Sequence, residues 1–166
     1  MLLYPKSYYK KITQIDIEFL KQNNIKGLIL DVDNTLLDFN LKFVDGLEQW
    51  HDNIIKNGIK TIIVSNSNKE EKLKKVSKLH NIEYIMFAMK PLKRGLLKAK
   101  KRLNLKEENI ATIGDQIFTD VLGWNRCKMF PILVEPLDKK DIWITVIKSP
   151  IEKMIIKKYL KTKEVK

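Results

Sequence analysis

Residues 27–36 have the sequence GLILDVDNTL, and this stretch sets the expected organisation of the whole chain. Its three consecutive apolar residues, 28–30, follow a glycine, which is typical of a strand that is buried on both faces. Two carboxylates, Asp31 and Asp33, come directly after this strand. Because burying an unpaired carboxylate costs several kcal/mol, we expect both aspartates where the strand leaves the sheet, facing a cation. The alternative is a loop in which the two aspartates only cap turns.

The composition is that of an ordinary globular domain with a strongly basic surface. The chain has 166 residues, of which 44% are apolar, and a formal net charge of +12. Its one cysteine, Cys127, cannot form an internal disulfide, no apolar run approaches the roughly 20 residues of a membrane span, and the N-terminus lacks the apolar segment of a signal peptide. We therefore predict one domain over residues 1–166, located in the cytoplasm. The basic charge either attracts anionic partners or only keeps helix faces solvated.

Strand and helix patterns alternate along the chain. Short apolar runs predict strands, and apolar residues at helical spacing predict helices. This alternation favours an α/β fold with a parallel sheet of about five strands and helices on both faces. Pro131 places the last strand at a sheet edge, because proline has no amide to pair. The predicted strands cover 27–33, 61–64, 84–87, 110–113 and 130–134; the predicted helices cover 16–23, 43–57, a segment capped by Ser67 that ends near 81, 91–103, 121–124 and the tail from Pro150, capped by Ser149.

Each informative polar group falls at the carboxyl end of a predicted strand. Asp31 and Asp33 follow the first strand, Ser65 the second, Lys90 the third and Asp115 the fourth. The carboxyl ends of parallel strands lie along one edge, so we expect these side chains to converge. Carboxylates without a cluster of histidine or cysteine suit a hard cation such as Mg²⁺, and a lysine and a hydroxyl beside it suit a phosphoryl group. One aspartate is then able to attack phosphorus while another transfers protons.

Four short motifs resemble those of one enzyme superfamily. The segment 31–35, Asp-Val-Asp-Asn-Thr, resembles the DxDxT signature of the haloacid-dehalogenase (HAD) superfamily of phosphatases. The segments 64–66, 90–91 and 114–120 are similar to its second, third and fourth motifs, the last with the pattern GDxxxxD. The stretch 114–126 further resembles the YqeG-type branch of subclass IIIA, which is similar to phosphatidylglycerophosphate phosphatases.

The resemblance implies a Mg²⁺ cofactor and a role for each matched carboxylate. Asp31 is the expected nucleophile and a metal ligand. Asp33 is the expected general acid and base, and it lends its backbone carbonyl to the metal. Asp115 is the third expected metal ligand, and Asp120 is expected to orient Lys90 or a metal-bound water.

The resemblance also implies which residues contact the phosphoryl group. Ser65 and Lys90 are expected to be catalytic and to bind this group, the first by a hydrogen bond and the second by its charge, with Asn66 as a further substrate-binding residue. Thr35 is expected to support the loop. We expect Lys90 to lie at a strand end and not in the core, so that its replacement would leave the fold intact.

The fold that the resemblance implies is a three-layer α/β/α sandwich around a HAD-like Rossmannoid sheet. Superfamily members that carry a cap domain insert it after the first motif or between the second and third. Here residues 37–64 and 66–89 each have room for one helix and one strand. We therefore predict that there is no cap domain. The resulting open site would suit a large or membrane-bound phosphomonoester.

The basic C-terminal tail, residues 148–166, bears on the substrate. It holds seven lysines and two glutamates around an apolar helical stripe, which suits peripheral binding to the inner face of an anionic membrane. Alternatively, the tail helix packs on the domain with its lysines in water. We predict a Mg²⁺-dependent phosphatase for which the resemblance suggests phosphatidylglycerophosphate, with no stable nucleic-acid partner. The alternatives are a soluble phosphate or a nucleic-acid end as substrate, or a receiver-like or RNA-binding module without catalysis.

Overall fold

A six-stranded parallel sheet forms the centre of the protein. The computed structural model describes residues 2–138 and 143–164. The strands lie in the order β1-β6-β5-β2-β3-β4, and every neighbouring pair is parallel. Their bounds are β1 Ser7–Tyr9, β2 Gly27–Leu30, β3 Lys60–Val64, β4 Tyr84–Ile85, β5 Ile110–Gly114 and β6 Phe130–Val134. The predicted parallel α/β fold is confirmed.

Helices cover both faces of this sheet and give three layers. On one face, Leu28 and Leu30 of β2 belong to a hydrophobic cluster with the first three helices. On the other face, Ile29 belongs to a second cluster, with the fourth and fifth helices. The run after Gly27 is therefore buried on both sides, as the sequence predicts. The helices are α1 Ile17–Gln22, α2 Leu47–Lys56, α3 Glu70–His80, α4 Lys93–Leu103, α5 Leu122–Arg126 and α6 Trp143–Glu164, with a π-helical turn Ile117–Val121 directly before α5.

The prediction that β6 lies at a sheet edge is wrong. The short strand β1 pairs with β6 on its outer side, starting with Ser7 opposite Ile132. The carbonyl of Pro131 accepts a hydrogen bond from Lys6 at 2.9 Å, and the amide that Pro131 lacks would point to the same side. This missing donor falls before the β1 ladder begins, so the proline interrupts no strand pairing. With only three residues, β1 has too little alternation to be found from sequence.

Several predicted element boundaries are also wrong. Ser67 does not cap α3: its hydroxyl accepts a hydrogen bond from the Lys69 amide, and the helix begins at Glu70. Pro91 precedes α4 instead of opening it. The last helix begins at Trp143 and continues through Pro150, whereas the predicted start was Pro150 itself. A proline removes one helical hydrogen bond, and a long helix tolerates that loss when the turns on either side are intact.

Within residues 2–138 and 143–164, no cap domain lies over the edge of the sheet that bears the polar residues. Between β2 and β3 the chain forms α2 and two isolated bridges, Asp33 with Leu37 and Leu37 with Phe43. Between β3 and β4 it forms α3 alone. No helix of the described ranges 2–138 and 143–164 is long and apolar enough to cross a membrane.

The C-terminal helix α6 packs against the rest of the chain. Tyr159 is 5% exposed, its ring meets Tyr4 edge to face at 5.8 Å, and its hydroxyl donates to the Lys6 carbonyl at 3.2 Å. Ile155 packs against the second hydrophobic cluster. Met154 remains exposed, so the apolar stripe that the sequence predicts divides between the domain and solvent. Residues 165 and 166 of the predicted tail lie outside the described residues.

Candidate active site

Asp31 lies at the carboxyl end of β2, one residue beyond the strand. Its amide donates to the Ile113 carbonyl of β5 at 2.9 Å, which continues the ladder and holds the backbone of Asp31 in place. The residue is 5% exposed. Burial, together with the nearby carboxylates Asp120 and Asp33, raises the pKa of Asp31 to about 7 against the opposing effect of Lys90. An isolated carboxylate would be unstable here, and its ionised form depends on a cation beside it.

That cation is the ammonium group of Lys90, which lies between two carboxylates. Its Nζ is 2.8 Å from Asp31 Oδ1 and 2.7 Å from Asp120 Oδ1. Burial alone would lower the pKa of Lys90, but Asp120 and Asp31 outweigh it and raise the pKa. Lys90 is 7% exposed, so the expectation that it lies outside the core is wrong. Residues 86–89 form an irregular segment between β4 and the buried Lys90, which sequence periodicity does not reveal.

The side chain of Asn66 forms hydrogen bonds with both backbone polar groups of Lys90. Its side-chain oxygen accepts the Lys90 amide at 2.7 Å, and its side-chain nitrogen donates to the Lys90 carbonyl at 3.1 Å. The sequence predicts that Asn66 binds substrate. Its observed contacts instead fix the peptide from which the Lys90 side chain extends.

Asp120 is fully buried and joins Lys90 to the turn after β5. Its Oδ1 accepts from Lys90, and its Oδ2 accepts the Gln116 amide at 3.1 Å. A Cβ atom at Gly114 would lie 2.6 Å from Asp120 Oδ2 and 2.6 Å from the ring of Trp124. Glycine at position 114 is therefore what lets the Asp120 carboxylate reach the end of β5.

Asp115 completes a group of three carboxylates. One oxygen each from Asp31, Asp115 and Asp120 lie within 4.8 Å of one another. The buried Oδ1 of Asp115 accepts no hydrogen bond from any residue that the structure describes. Burial, then the charges of Asp120 and Asp31, raise the pKa of Asp115 well above its usual value. Oxygen-only ligands with an unsatisfied buried oxygen fit a hard divalent cation.

Asp33 lies outside this buried group. Its side chain is 41% exposed, and its carboxylate is paired with the ammonium group of Lys72 from α3. The sequence predicts metal binding by the carboxylates of Asp31 and Asp115 and by the backbone carbonyl of Asp33, and this stays a prediction. The carboxylates that the fold brings together are those of Asp31, Asp115 and Asp120. Lys72 was missed, because nothing in the sequence distinguishes it from the other 28 of the 29 lysines.

Ser65 and Thr35 are both buried near Asp31. The Ser65 hydroxyl oxygen accepts the Ser67 amide at 3.0 Å, which leaves its own O–H available as a donor. The Thr35 hydroxyl makes no hydrogen bond within residues 2–138 and 143–164, so no contact of this group supports the loop. The amide of Thr35 instead donates to the Val32 carbonyl at 3.3 Å.

Glu152 of α6 also reaches this end of the sheet, and it was not predicted. Its Oε1 accepts hydrogen bonds from the amides of Ile117 and Phe118, at 3.0 and 3.2 Å. These residues begin the π-helical turn that carries Asp120. The available sequence signal, an acidic residue two positions after Pro150, fits equally well a local helix cap beside Ser149.

Comparison with known proteins identifies this arrangement. Residues 1–136 match the protein family described as mitochondrial PGP phosphatase. The chain is 38% identical over 153 residues to the probable phosphatase YqeG of Bacillus subtilis (strain 168), covering 92% of this chain and 88% of the relative.

Solved structures of low sequence identity share the fold of this chain. One is the cobalt-bound deoxy-D-mannose-octulosonate 8-phosphate phosphatase from Haemophilus influenzae, with a TM-score of 0.53, 17% identity and coverage of 70% of this chain and 81% of that chain. Another is an uncharacterized protein from Listeria monocytogenes serotype 4b, with a TM-score of 0.57, 16% identity and coverage of 71% and 85%.

Proposed function

This chain belongs to the HAD-superfamily phosphatases of the YqeG type, and we propose that it hydrolyses a phosphomonoester with Mg²⁺ through an aspartyl phosphate on Asp31. Membership makes it a hydrolase of phosphate esters. The observation that carries the mechanism is the buried Asp31–Lys90–Asp120 arrangement beside the unsatisfied oxygen of Asp115. A receiver-like module would need its phosphorylated aspartate after β4, and the segment 86–90 that follows β4 contains Lys90 and no carboxylate.

In the first step an oxygen of Asp31 bonds to phosphorus while the bond between phosphorus and the leaving oxygen breaks. Asp33 donates a proton to that leaving oxygen. In the second step Asp33 takes a proton from water, the water oxygen attacks phosphorus, and the bond to Asp31 breaks to release phosphate. Lys90 neutralises charge on the phosphoryl oxygens, and the Ser65 hydroxyl donates a hydrogen bond to them.

The proposed Mg²⁺ ligands are the carboxylates of Asp31 and Asp115 and the backbone carbonyl of Asp33. Both oxygens of Asp120 are already engaged, with Lys90 and with the Gln116 amide. Asp115 therefore offers the available oxygen, and Asp120 keeps Lys90 in place. When bound, the cation would offset negative charge on the carboxylates and the phosphoryl group. The solved Haemophilus influenzae phosphatase, which shares the fold, is described as cobalt-bound.

We expect purified protein to release phosphate from p-nitrophenyl phosphate in Mg²⁺ and to stop when a chelator is added. Mg²⁺ at saturating concentration should also raise the unfolding midpoint by roughly 5 °C, because it binds only the folded arrangement of carboxylates. Asp115→Asn should abolish both effects. It should unfold at a higher temperature than the metal-free wild type, because it removes a buried acidic group that lies beside the carboxylates of Asp120 and Asp31.

Asp45→Asn is the matched control for this measurement, because Asp45 is exposed and only loosely paired with Lys42, at 4.0 Å. It should keep both the activity and the Mg²⁺-induced shift. Hydrolysis that continues in chelator, or an Asp115→Asn protein that Mg²⁺ still stabilises, would contradict the proposed metal site.

We further propose that the substrate is a phospholipid in an anionic bilayer, with phosphatidylglycerophosphate as the candidate. The site has no cap, and loops at the same edge expose the apolar side chains of Phe39, Leu41, Phe87 and Met89. Three of these residues, Leu41, Phe87 and Met89, have positive φ, which costs about 1–2 kcal/mol for a residue other than glycine. Exposed apolar groups on such a backbone are typical of a contact surface.

The basic helix α6 supports the same substrate class. Its contact through Glu152 brings the helix to the active-site edge at that residue, and its lysines at 153, 157, 158 and 161 are exposed along the helix. Each basic residue near an anionic membrane contributes about 1 kcal/mol to binding. Because α6 packs on the core through Tyr159, we also propose that residues 1–166 form one domain and act at the membrane surface without spanning it.

Replacing these four lysines by glutamine should lower phosphate release from phosphatidylglycerophosphate vesicles by roughly tenfold or more, and leave p-nitrophenyl phosphate hydrolysis unchanged. The loss should shrink in high salt, which screens the attraction. A matched control replaces four exposed lysines that precede strands at the opposite edge, Lys26, Lys101, Lys106 and Lys128.

Equal loss in the two quadruple variants would show only a general effect of charge. A preference of the wild type for a soluble sugar phosphate or for a 5′- or 3′-phosphorylated oligonucleotide over the vesicles would overturn the lipid assignment. In either case the phosphatase chemistry would stand.

A further inference from the structure

The C-terminal helix contacts the active-site turn through one carboxylate. Glu152 accepts the amides of Ile117 and Phe118, residues 35 and 34 positions earlier in the chain. The family match ends at residue 136, so Glu152 lies beyond the segment that the family describes. None of the roles assigned above to the superfamily motifs includes this residue.

The amides that Glu152 binds are ones that the turn cannot satisfy itself. The first N–H groups of a helix have no acceptor within it and carry partial positive charge. Here the Gln116 amide is taken by Asp120, and the next two amides are taken by Glu152. A carboxylate accepting two amides forms strong, charge-assisted hydrogen bonds.

This turn lies between the two carboxylates that matter at the site. Asp115 precedes it and Asp120 falls within it, and both lie within 4.8 Å of the Asp31 oxygen. Any rotation of residues 116–118 would move both carboxylates relative to Asp31. The turn is held by Asp120 from within and by Glu152 from outside.

The position of Glu152 does not depend on these two hydrogen bonds alone. Tyr159, two turns further along α6, is buried and donates to the Lys6 carbonyl. Ile155 and Ile156 pack on the second hydrophobic cluster. The helix is therefore anchored on the domain independently, and it presents Glu152 to the turn from a fixed support.

We propose that Glu152 is a positioning residue for the metal site, which acts by holding the 116–118 turn so that Asp115 faces Asp31. The proposal rests on the proposed function, because it assigns Glu152 to the cation site of that reaction. It makes α6 part of the active site's support as well as a candidate membrane contact.

The test compares Glu152→Ala with Glu152→Gln and the wild type. Glu152→Ala should raise the Mg²⁺ concentration needed for half-maximal p-nitrophenyl phosphate hydrolysis by about tenfold, as the loss of a residue supporting metal ligands does. It should raise the Mg²⁺ concentration needed for half the shift in unfolding midpoint by the same factor. Glu152→Gln should stay near the wild type, because its amide oxygen still accepts both N–H groups.

Glu107→Ala is the matched control. Glu107 lies in the turn before β5, at the opposite edge of the sheet, and its carboxylate is paired with Lys100. This variant should leave both Mg²⁺ curves unchanged. If Glu152→Ala does not fold, Glu152→Asp replaces it. We expect the same increase in the Mg²⁺ requirement, because the aspartate side chain is one methylene group shorter and its carboxylate does not reach the turn.

Two results would overturn the proposal. One is a Glu152→Ala protein, or the Glu152→Asp protein used in its place, with the Mg²⁺ dependence of the wild type. The other is a lower unfolding temperature with an unchanged Mg²⁺ requirement, which would show a purely structural contact. A wild-type protein without Mg²⁺-dependent hydrolysis would instead refute the proposed function itself, so the two failures are distinguishable.

Discussion

Asp31→Asn should reduce p-nitrophenyl phosphate hydrolysis by about 10⁴-fold or more, to the limit of detection. An amide is a poor nucleophile toward phosphorus and cannot form the acyl phosphate on which the reaction depends. The variant should fold, because asparagine has nearly the same size and the Lys90 ammonium group keeps its partner Asp120. Steady-state rates and thermal unfolding of the same preparation measure both expectations.

Asp33→Asn provides the contrast that identifies Asp31 as the nucleophile. Its steady-state rate should fall by about a hundredfold or more, because proton transfer is lost. The leaving group of p-nitrophenyl phosphate needs little protonation, so the first step should survive better than the second. Mixing should then give a rapid release of about one equivalent of p-nitrophenol per enzyme, followed by slow turnover. An active Asp31→Asn enzyme would refute the covalent mechanism.

Lys90→Met should lower the rate by about 10²–10³-fold and also destabilise the protein by about 3–5 kcal/mol. The two losses have separate causes. The rate falls because no cation neutralises the phosphoryl oxygens. The stability falls because Asp31 and Asp120, at 2.8 and 2.7 Å from Nζ, are left buried without their partner. Steady-state kinetics and denaturant unfolding measure the two losses independently.

Adding Asp120→Asn to Lys90→Met separates the two effects. The double variant retains two carboxylates of the group, Asp31 and Asp115, instead of three, so it should regain part of the stability. It should regain none of the activity. Lys100→Met, which removes a surface partner of Glu107, should change neither quantity appreciably. A stable and fully active Lys90→Met protein would mean that Lys90 serves neither role.

The parts of the site that follow strands were predictable because strand direction alone brings them together. Asp31, Ser65 and Asp115 each come directly after a buried apolar run, and a parallel sheet places the ends of such runs side by side. No side-chain contact has to be known for that conclusion. The burial of Lys90 could not be predicted in this way, because the four irregular residues 86–89 separate it from β4.

Contacts between distant elements were not predictable. Lys72 and Glu152 lie on helices whose rotation is set by packing, and their spacing along the chain carries no sign of the partner each one meets. The short strand β1 could not be predicted from the sequence either, because its pairing with β6 depends on the sheet already being formed.

By itself, the sequence determined the parallel α/β arrangement, the absence of a cap, and the group of acidic residues with one lysine at the carboxyl edge. The fold and the group of polar residues follow from local periodicity and strand order, which short stretches of chain encode. The absence of a cap follows from the short spacing between the segments that resemble the superfamily motifs. Only the tertiary structure decided that Asp120 joins Asp31 and Asp115, that Asp33 faces outward to Lys72, and that Glu152 holds the turn between them. Those contacts depend on the rotation and packing of whole elements, and that arrangement is established only when the hydrophobic clusters on the two sheet faces form.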